Sequence, residues 1–183
     1  EMNREMGLLD LVPEVILPPP GNVIFRDDFS GQLQPGWTFA GADDSKVILN
    51  SRPGYLLVLP QDPLAPVTQA SQLFREVTGD FIITTRMAFQ TLVDLELAGM
   101  LVQSNDGLTV ALGMLLATGD RGSFRGLLLR ADRGTDFGRA TASTDLEDVY
   151  LRLERRGTSF RGSYSADGLA YTLIGTVSND LSD

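Results

Sequence analysis

The stretch FIITTRMAFQ, residues 81–90, decides the fold class of this chain, because apolar and polar side chains alternate along it. Alternation with a period of two is typical of a β-strand that has one buried face and one face toward water. The buried face would carry Phe81, Ile83, Thr85, Met87 and Phe89. The stretch therefore predicts a long strand at the edge of a hydrophobic core.

Similar short runs recur downstream, separated by glycine-containing turns. They predict strands over 98–104, 108–117, 124–130, 149–155, 159–165 and 170–177. The connection Asn105-Asp106-Gly107 indicates a hairpin, because Asp and Gly tolerate positive φ angles. The window 145–150 has room for one helical turn at most. About a dozen strands without an amphipathic helix predict an all-β fold, a two-sheet antiparallel sandwich or jelly roll.

Composition excludes several classes of chemistry. The 183 residues include no Cys and no His, which removes disulfides, thiolate nucleophiles, Cys- or His-ligated zinc and the Ser-His-Asp triad. The net charge of −9 repels phosphate backbones and anionic lipid, so we expect no nucleic-acid partner. The apolar run over 7–17 is interrupted by Asp, Pro and Glu, so no membrane insertion is expected.

Residues 1–22 differ from the rest of the chain. They contain seven Leu, Val and Ile side chains between positions 8 and 17 and then Pro18-Pro19-Pro20, which favours an extended path. We predict an extended N-terminal arm or linker over 1–22 and one sandwich domain over 23–183. The arm is either a simple linker or a docking segment that lies on its own domain or on a neighbour. Because the chain begins with Glu1, we expect a processed product or a trimmed piece.

A series of motifs along the chain is characteristic of one superfamily. The motifs are FRDDFSG at 25–31, GW at 36–37, QLFREVTGDF at 72–81, AGMLV at 98–102, YLRLERRG at 150–157 and FRGSYSADG at 160–168. Their order resembles the concanavalin A-like lectin/glucanase superfamily, and within it bacterial jelly-roll domains such as the C-terminal domain of family 43 β-xylosidases. The resemblance covers about residues 23–177. It implies a carbohydrate-associated, extracellular or cell-surface protein.

The resemblance also implies a calcium ion, because many superfamily members hold one near the first strand and the chain end. Calcium takes oxygen ligands only, and Asp28 is the expected contributor. The alternative is that Asp28 caps a turn. Other carboxylates that qualify by position are Asp43, Asp44, Asp167, Asp180 and Asp183. No other cofactor is expected.

Asp94 and Glu96 place two carboxylates on one face of a strand. Glucanases of the superfamily carry an acid/base and a nucleophile with this spacing on the concave sheet. The third acidic position of that pattern is Ala98 here. This departure argues against hydrolysis, and we predict no catalytic residue.

Sugar binding requires an aromatic platform and hydrogen-bonding side chains, because a pyranose has an apolar face and a polar rim. Tyr150 shares one strand face with Arg152, which we expect to line a concave groove. Trp37 follows a glycine, and either packs in the core or serves as a platform. The predicted ligand-binding residues are Trp37, Glu96, Tyr150 and Arg152.

Three functions remain open at this point. The first is a non-catalytic, lectin-like module, secreted or on the surface, that binds a glycan or polysaccharide. The second is a structural subunit of an extracellular assembly or filament, in which residues 1–22 of one copy add to a sheet edge or groove of the next. The third, a glycoside hydrolase, rests on Asp94 and Glu96 alone.

Overall fold

The computed structural model describes residues 22–40, 46–49, 51–59, 72–89, 97–119, 122–133 and 136–180. They form two compact units, whose described parts lie within 22–78 and 79–180. The regular structure of these ranges is all β-strand, and none of their residues belongs to a helix that could cross a membrane. The arm predicted over 1–22 lies, apart from its last residue, outside the described residues.

The N-terminal unit contains four short strands. They are β1 (Thr38–Ala40), β2 (Val47–Ile48), β3 (Leu57–Val58) and β4 (Gln72–Phe74). β1 pairs with β4 and β2 pairs with β3, both antiparallel. In the first pair Thr38 lies opposite Phe74, so the residues just before β1 and just after β4 meet at one end of the ribbon.

The C-terminal unit contains eight strands. They are β5 (Phe81–Ala88), β6 (Leu97–Gln103), β7 (Thr109–Gly119), β8 (Gly122–Arg133), β9 (Asp136–Ser143), β10 (Asp148–Arg156), β11 (Ser159–Ser165) and β12 (Thr172–Ser178). Sheet I has the order β12-β11-β10-β5 and sheet II the order β6-β7-β8-β9, with antiparallel neighbours throughout. This confirms the predicted β-sandwich.

The central strands of both sheets supply the side chains of the hydrophobic core. Fully buried side chains come from β10 and β11 in sheet I and from β7 and β8 in sheet II: Val149, Leu151, Leu153, Phe160, Val110, Leu112, Met114, Leu127 and Leu129. A Cβ on Gly162 of sheet I would lie 3.2 Å from Leu129 and 3.3 Å from Leu112 of sheet II, so the sheets are in direct contact there. The alternation predicted for 81–90 is confirmed, since Phe81, Ile83, Met87 and Phe89 belong to this core.

The strand β9 was not predicted from sequence. Its residues, DFGRATAS, include one large apolar side chain, so they lack the alternation that marks the other strands. β9 forms because β8 offers it a full hydrogen-bonding edge from Gly126 to Arg133. The window 145–150 forms no helical turn, because β10 begins inside it at Asp148 and pairs with β5.

The hairpin turn predicted at 105–107 and the glycine-containing turn predicted between strands 159–165 and 170–177 are confirmed, and each is closed by an aspartate. Asp106 accepts a hydrogen bond from the Ser104 hydroxyl in the β6–β7 hairpin, and this bond lowers the pKa of its carboxyl. In the β11–β12 connection, the Leu169 N–H and the Ser165 hydroxyl donate to Asp167, and its pKa is lowered for the same reason. Both carboxylates therefore ionise at a lower pH than an ordinary aspartate, and in the ionised form they accept the hydrogen bonds that close the turns.

Candidate functional site

The outer face of β10 carries a row of polar side chains. Because β10 alternates, Val149, Leu151 and Leu153 face the core while Tyr150, Arg152 and Glu154 face away from it. Tyr150 lies opposite Arg86 of β5 and Ser165 of β11, and Arg152 lies opposite Thr84 and Ser163. The sandwich thus places the predicted pair Tyr150 and Arg152 on one sheet face, two residues apart.

Arg152 is a nearly buried charge on this face. Its side chain is only 6% exposed, and its guanidinium carbon lies 3.6 Å from the centroid of the Tyr171 ring. Burial raises the pKa of the Tyr171 phenol above its usual 10.0, although the positive charge of Arg152 opposes this shift. At neutral pH the site therefore contains a nearly buried guanidinium over the ring of a neutral, buried tyrosine.

Tyr150 is held from two directions. A Cβ on Gly168 would lie 3.1–3.2 Å from three atoms of the Tyr150 ring, so the glycine turn packs against that ring. The Arg86 guanidinium carbon lies 5.6 Å from the ring centroid. Arg86 is itself oriented by a two-bond ion pair with Asp148, with N–O distances of 2.8 and 2.6 Å. The ring consequently has a fixed orientation with part of its surface covered by Gly168.

The arrangement can bind hydroxyl groups. Arginine N–H groups donate, the Tyr150 hydroxyl donates and accepts, and the Tyr150 ring offers apolar surface beside them, whereas Ser163, Ser165 and Tyr171 are buried. The sequence did not indicate Tyr171 or Arg86. Tyr171 precedes β12 and Arg86 lies on β5, so both join Arg152 and Tyr150 through pairing of distant strands, which no local pattern predicts.

Trp37 belongs to the N-terminal unit. Its indole N–H donates to Asp27 Oδ2 at 2.9 Å, and its ring lies edge-on to Phe25 at 5.4 Å between centroids. Phe29 packs beside it at 6.4 Å. Of the two alternatives, the structure shows Trp37 in an aromatic cluster with its N–H occupied.

Asp27 organises that cluster, and its effect on stability is testable. Partial burial raises the pKa of its carboxyl, but N–H groups of Gln34, Phe29 and Trp37 together lower the pKa below the usual 3.8. A carboxyl whose pKa is lowered by folding stabilises the fold above the unfolded pKa and loses this contribution as pH falls through the folded pKa. We expect Asp27→Asn to reduce the free energy of unfolding by about 1–2 kcal/mol at pH 7, and by less below about pH 3.

Urea denaturation followed by Trp37 fluorescence measures this effect. The matched control is Asp28→Asn, which removes a neighbouring exposed carboxylate that accepts its hydrogen bonds from Ser30 among the described residues. We expect the control to change the free energy by less than about 0.5 kcal/mol. Equal losses in both variants at pH 7 would contradict the role assigned to Asp27.

Two predicted site residues remain, Asp28 as a calcium ligand and Glu96 as a ligand-binding residue. Asp28 caps a turn, since its Oδ1 accepts hydrogen bonds from the Ser30 hydroxyl at 2.8 Å and the Ser30 N–H at 3.3 Å. Within the described ranges no three carboxylates converge into a metal-binding group, so calcium binding by Asp28 stays a prediction. Glu96 and its companion Asp94 lie outside the described residues.

The outer face of sheet II has a different character. Leu97 and Leu101 of β6 are 44% and 39% exposed. They point to the same side as Leu115 of β7 and Leu128 of β8, which are buried. These four leucines form an apolar patch on the outer face of sheet II, and the same face also carries the exposed Arg130–Asp132 ion pair of β8.

Comparison with known proteins identifies the relatives of this fold. A family model described as the β-xylosidase C-terminal concanavalin A-like domain matches residues 26–183. No curated protein sequence matches the chain. Similar solved structures include the GH43 protein BlXynB from Bacillus licheniformis, with a TM-score of 0.68 and 18% identity over 82% of this chain. At these identities the likeness shows the fold alone.

Two further solved structures have a similar fold. One is the GH43B protein of a Bacteroides ovatus xyloglucan locus, with a TM-score of 0.68 and 19% identity over 87% of the chain. The other is xylan β-1,4-xylosidase from Bacillus halodurans, with a TM-score of 0.64 and 21% identity over 88%. The chain spans 30–33% of the length of these three structures. With a family match over residues 26–183 and this shared architecture, the chain belongs to the family of β-xylosidase C-terminal concanavalin A-like domains.

Proposed function

We propose that the chain is a non-catalytic, extracellular module that binds a β-1,4-xylan-type glycan on the outer face of sheet I. The observation that carries the proposal is Arg152, a nearly buried guanidinium stacked on Tyr171 beside the fixed Tyr150 ring. The choice of glycan comes from the relatives, which include a xylan β-1,4-xylosidase. The family is defined by a C-terminal domain, which supports a role beside a catalytic domain rather than in its place.

The physical case for binding rests on preorganisation. Holding Arg152 on the Tyr171 ring and Arg86 on Asp148 removes side-chain freedom before a ligand arrives, so less entropy is lost when hydroxyls bind. Each hydrogen bond from a charged donor contributes about 1.5–3 kcal/mol when it is shielded from water. A few such bonds beside one aromatic ring match the mixed surface of a pyranose.

The experiment is calorimetric titration of the 183-residue chain with xylohexaose. We expect two variants each to weaken binding about tenfold. Arg152→Lys keeps the charge but loses the guanidinium that lies over Tyr171, and Tyr150→Phe loses the hydroxyl. The matched control is Arg130→Lys on sheet II, whose arginine forms an exposed ion pair with Asp132 at 2.7 Å. The same samples are assayed for released xylose, and none is expected.

Two results would contradict the proposal. One is an intact chain that binds neither xylohexaose nor xylan. The other is Arg152→Lys and Tyr150→Phe variants that bind as tightly as the Arg130→Lys control. Release of xylose by the purified chain would instead favour the hydrolase alternative based on Asp94 and Glu96.

A second candidate function is assembly through the N-terminal arm. The observation that favours it is the apolar patch on the outer face of sheet II, where Leu97 and Leu101 are exposed. An arm rich in Leu, Val and Ile is the matching occupant, because burying apolar surface stabilises contacts by about 25 cal/mol per Å². In this proposal residues 1–22 of one copy cover that face on its own or a neighbouring copy.

Light scattering after size exclusion tests the assembly proposal. We expect the full chain to form species that grow with concentration and are lost when residues 1–22 are deleted. Leu101→Lys, which places a charge on the same face, should have the same effect, and Val23→Lys at an exposed position outside it should not. Identical monomers from all of these variants would reduce the arm to a linker.

A further inference from the structure

The N-terminal unit holds an open cleft at one end of the β1–β4 ribbon. Its volume is about 420 Å³, and Gly36, Thr38, Arg75 and Glu76 line it. The strand register explains why these four residues lie together. Gly36 and Thr38 lie at the start of β1, and Arg75 and Glu76 follow the end of β4, which pairs with it. The volume lies in the range of small-ligand sites.

Arg75 is fixed in this cleft although it is exposed. Its Nη1 donates to the Pro35 carbonyl oxygen at 3.1 Å, and its guanidinium carbon lies 3.9 Å from the centroid of the Phe25 ring. The hydrogen bond and the ring together set the plane of the guanidinium. Its donors on the cleft side are therefore oriented before any ligand binds.

Gly36 makes this position of Arg75 possible. Its φ of +100° is a conformation that L side chains rarely adopt, and a Cβ there would lie 2.5 Å from Arg75 Nη1. The φ angle favours glycine at this position, and a side chain there would also displace the Arg75 guanidinium from its place in the cleft. The backbone of the Gly36 turn and the Arg75 side chain are fitted to one another.

Glu76 supplies the complementary acceptor. Glu76 is exposed, and within the part of the chain that the structure describes its carboxylate makes no hydrogen bond or ion pair. The Thr38 residue adds a hydroxyl on the opposite strand. A cleft lined by one guanidinium and one carboxylate carries no net charge from this pair, so an anion is repelled by Glu76 and a cation by Arg75. The chemistry that fits both is a neutral pair of adjacent hydroxyls, one accepting from Arg75 and one donating to Glu76.

We infer that this cleft is a second glycan subsite, which binds a neutral sugar residue through vicinal hydroxyls between Arg75 and Glu76. The inference rests on the proposed function for its ligand class. It does not depend on Tyr150 or Arg152, because those residues belong to the other unit.

The fluorescence of Trp37 can report ligand binding in the cleft. It is the only tryptophan of the chain, it directly follows Gly36, and its ring contacts the same Phe25 ring on which Arg75 lies. A ligand that engages Arg75 changes the surroundings of this aromatic cluster. Its binding should therefore shift or quench the tryptophan emission.

The experiment is titration of the 183-residue chain with xylotriose, read by Trp37 emission and by calorimetry. We expect a saturable change in emission for the intact chain. Glu76→Gln, which keeps the shape but weakens the acceptor, and Arg75→Lys, which loses the planar donor pair, should each shift the midpoint at least tenfold. The matched control is Arg52→Lys, since Arg52 is an exposed arginine of the same unit that stacks on Tyr55 at 3.8 Å outside the cleft.

The outcomes separate this inference from the proposed function. If xylotriose binds by calorimetry while Trp37 emission stays constant, or if Glu76→Gln and Arg75→Lys titrate as the control does, the cleft is not a subsite and the sheet I site stands. If emission still responds in the Tyr150→Phe and Arg152→Lys variants, the cleft binds on its own. Circular dichroism of each variant checks that the fold is retained.

Discussion

Gly113→Ala is expected to lower the free energy of unfolding by about 3 kcal/mol or more, although the change adds a single methyl group. Gly113 of β7 lies directly opposite Gly99 of β6. A Cβ on Gly113 would fall well inside the van der Waals radius of the Ala98 carbonyl oxygen, and a Cβ on Gly99 would meet the Leu112 carbonyl oxygen in the same way. The two strands approach closely because neither residue has a side chain.

The cost is large because backbone cannot move aside as a side chain can. Accommodating the methyl would separate β6 from β7 and weaken the hydrogen bonds on either side of the pair. For a protein of this size the loss corresponds to a decrease in Tm of about 6–12 °C. Thermal unfolding followed by circular dichroism measures it.

Gly138→Ala is the matched control. A Cβ there would lie 3.4 Å from Val177, an ordinary contact distance. We expect a change of less than about 1 kcal/mol, since alanine also restricts the unfolded chain. A Tm for Gly113→Ala that matches this control would mean that β6 and β7 do not approach as closely as described here.

Asn179→Asp is the second change with a large expected effect. Asn179 follows β12 and is 0% exposed, and its Nδ2 donates to the carbonyl oxygens of Thr109 and Asp132, each at 3.0 Å. These two carbonyls come from paired positions on β7 and β8. One amide therefore joins the end of sheet I to two central strands of sheet II.

The substitution preserves shape and removes the donors. A carboxylate would place an oxygen against two carbonyl oxygens in a buried site, and a protonated carboxyl could donate to only one of them. We expect a loss of about 3–5 kcal/mol at pH 7. The folded state would hold the proton more tightly than the unfolded chain, so the deficit should be smallest in acid and grow as pH rises above about 4.

Denaturation of Asn179→Asp at pH 3.5 and pH 7 measures both the loss of stability and its dependence on pH. Asn105→Asp is the control, because it makes the same chemical change at an exposed turn position and should have a small, nearly pH-independent effect. Asn179→Ala, which removes the donors without adding charge, should be destabilising without the pH dependence. A deficit that does not change with pH would contradict the buried position of this side chain.

The candidate site shows how far sequence reasoning extends. Tyr150 and Arg152 were predicted to share a face because alternation along one strand is a local property, and β10 confirms it. Tyr171 and Arg86 were not predicted, since their contacts with Arg152 and Tyr150 depend on how β12, β11 and β5 are ordered around β10. For Trp37 the sequence allowed either core packing or a role as a sugar platform. In the structure its indole N–H is already occupied by a hydrogen bond to Asp27.

The sequence by itself determined the all-β class, the positions of most strands and the turns at Asp106 and Asp167. These features could be predicted because turn residues and alternating core residues act through neighbours along the chain. The order of the motifs also resembles the family to which the chain belongs. Only the tertiary structure decided which strands share a sheet, that Gly99 faces Gly113, and that the Asn179 amide joins three strands. The physical reason is that these contacts depend on register and sheet order, which are set by packing over the whole core rather than by any local segment.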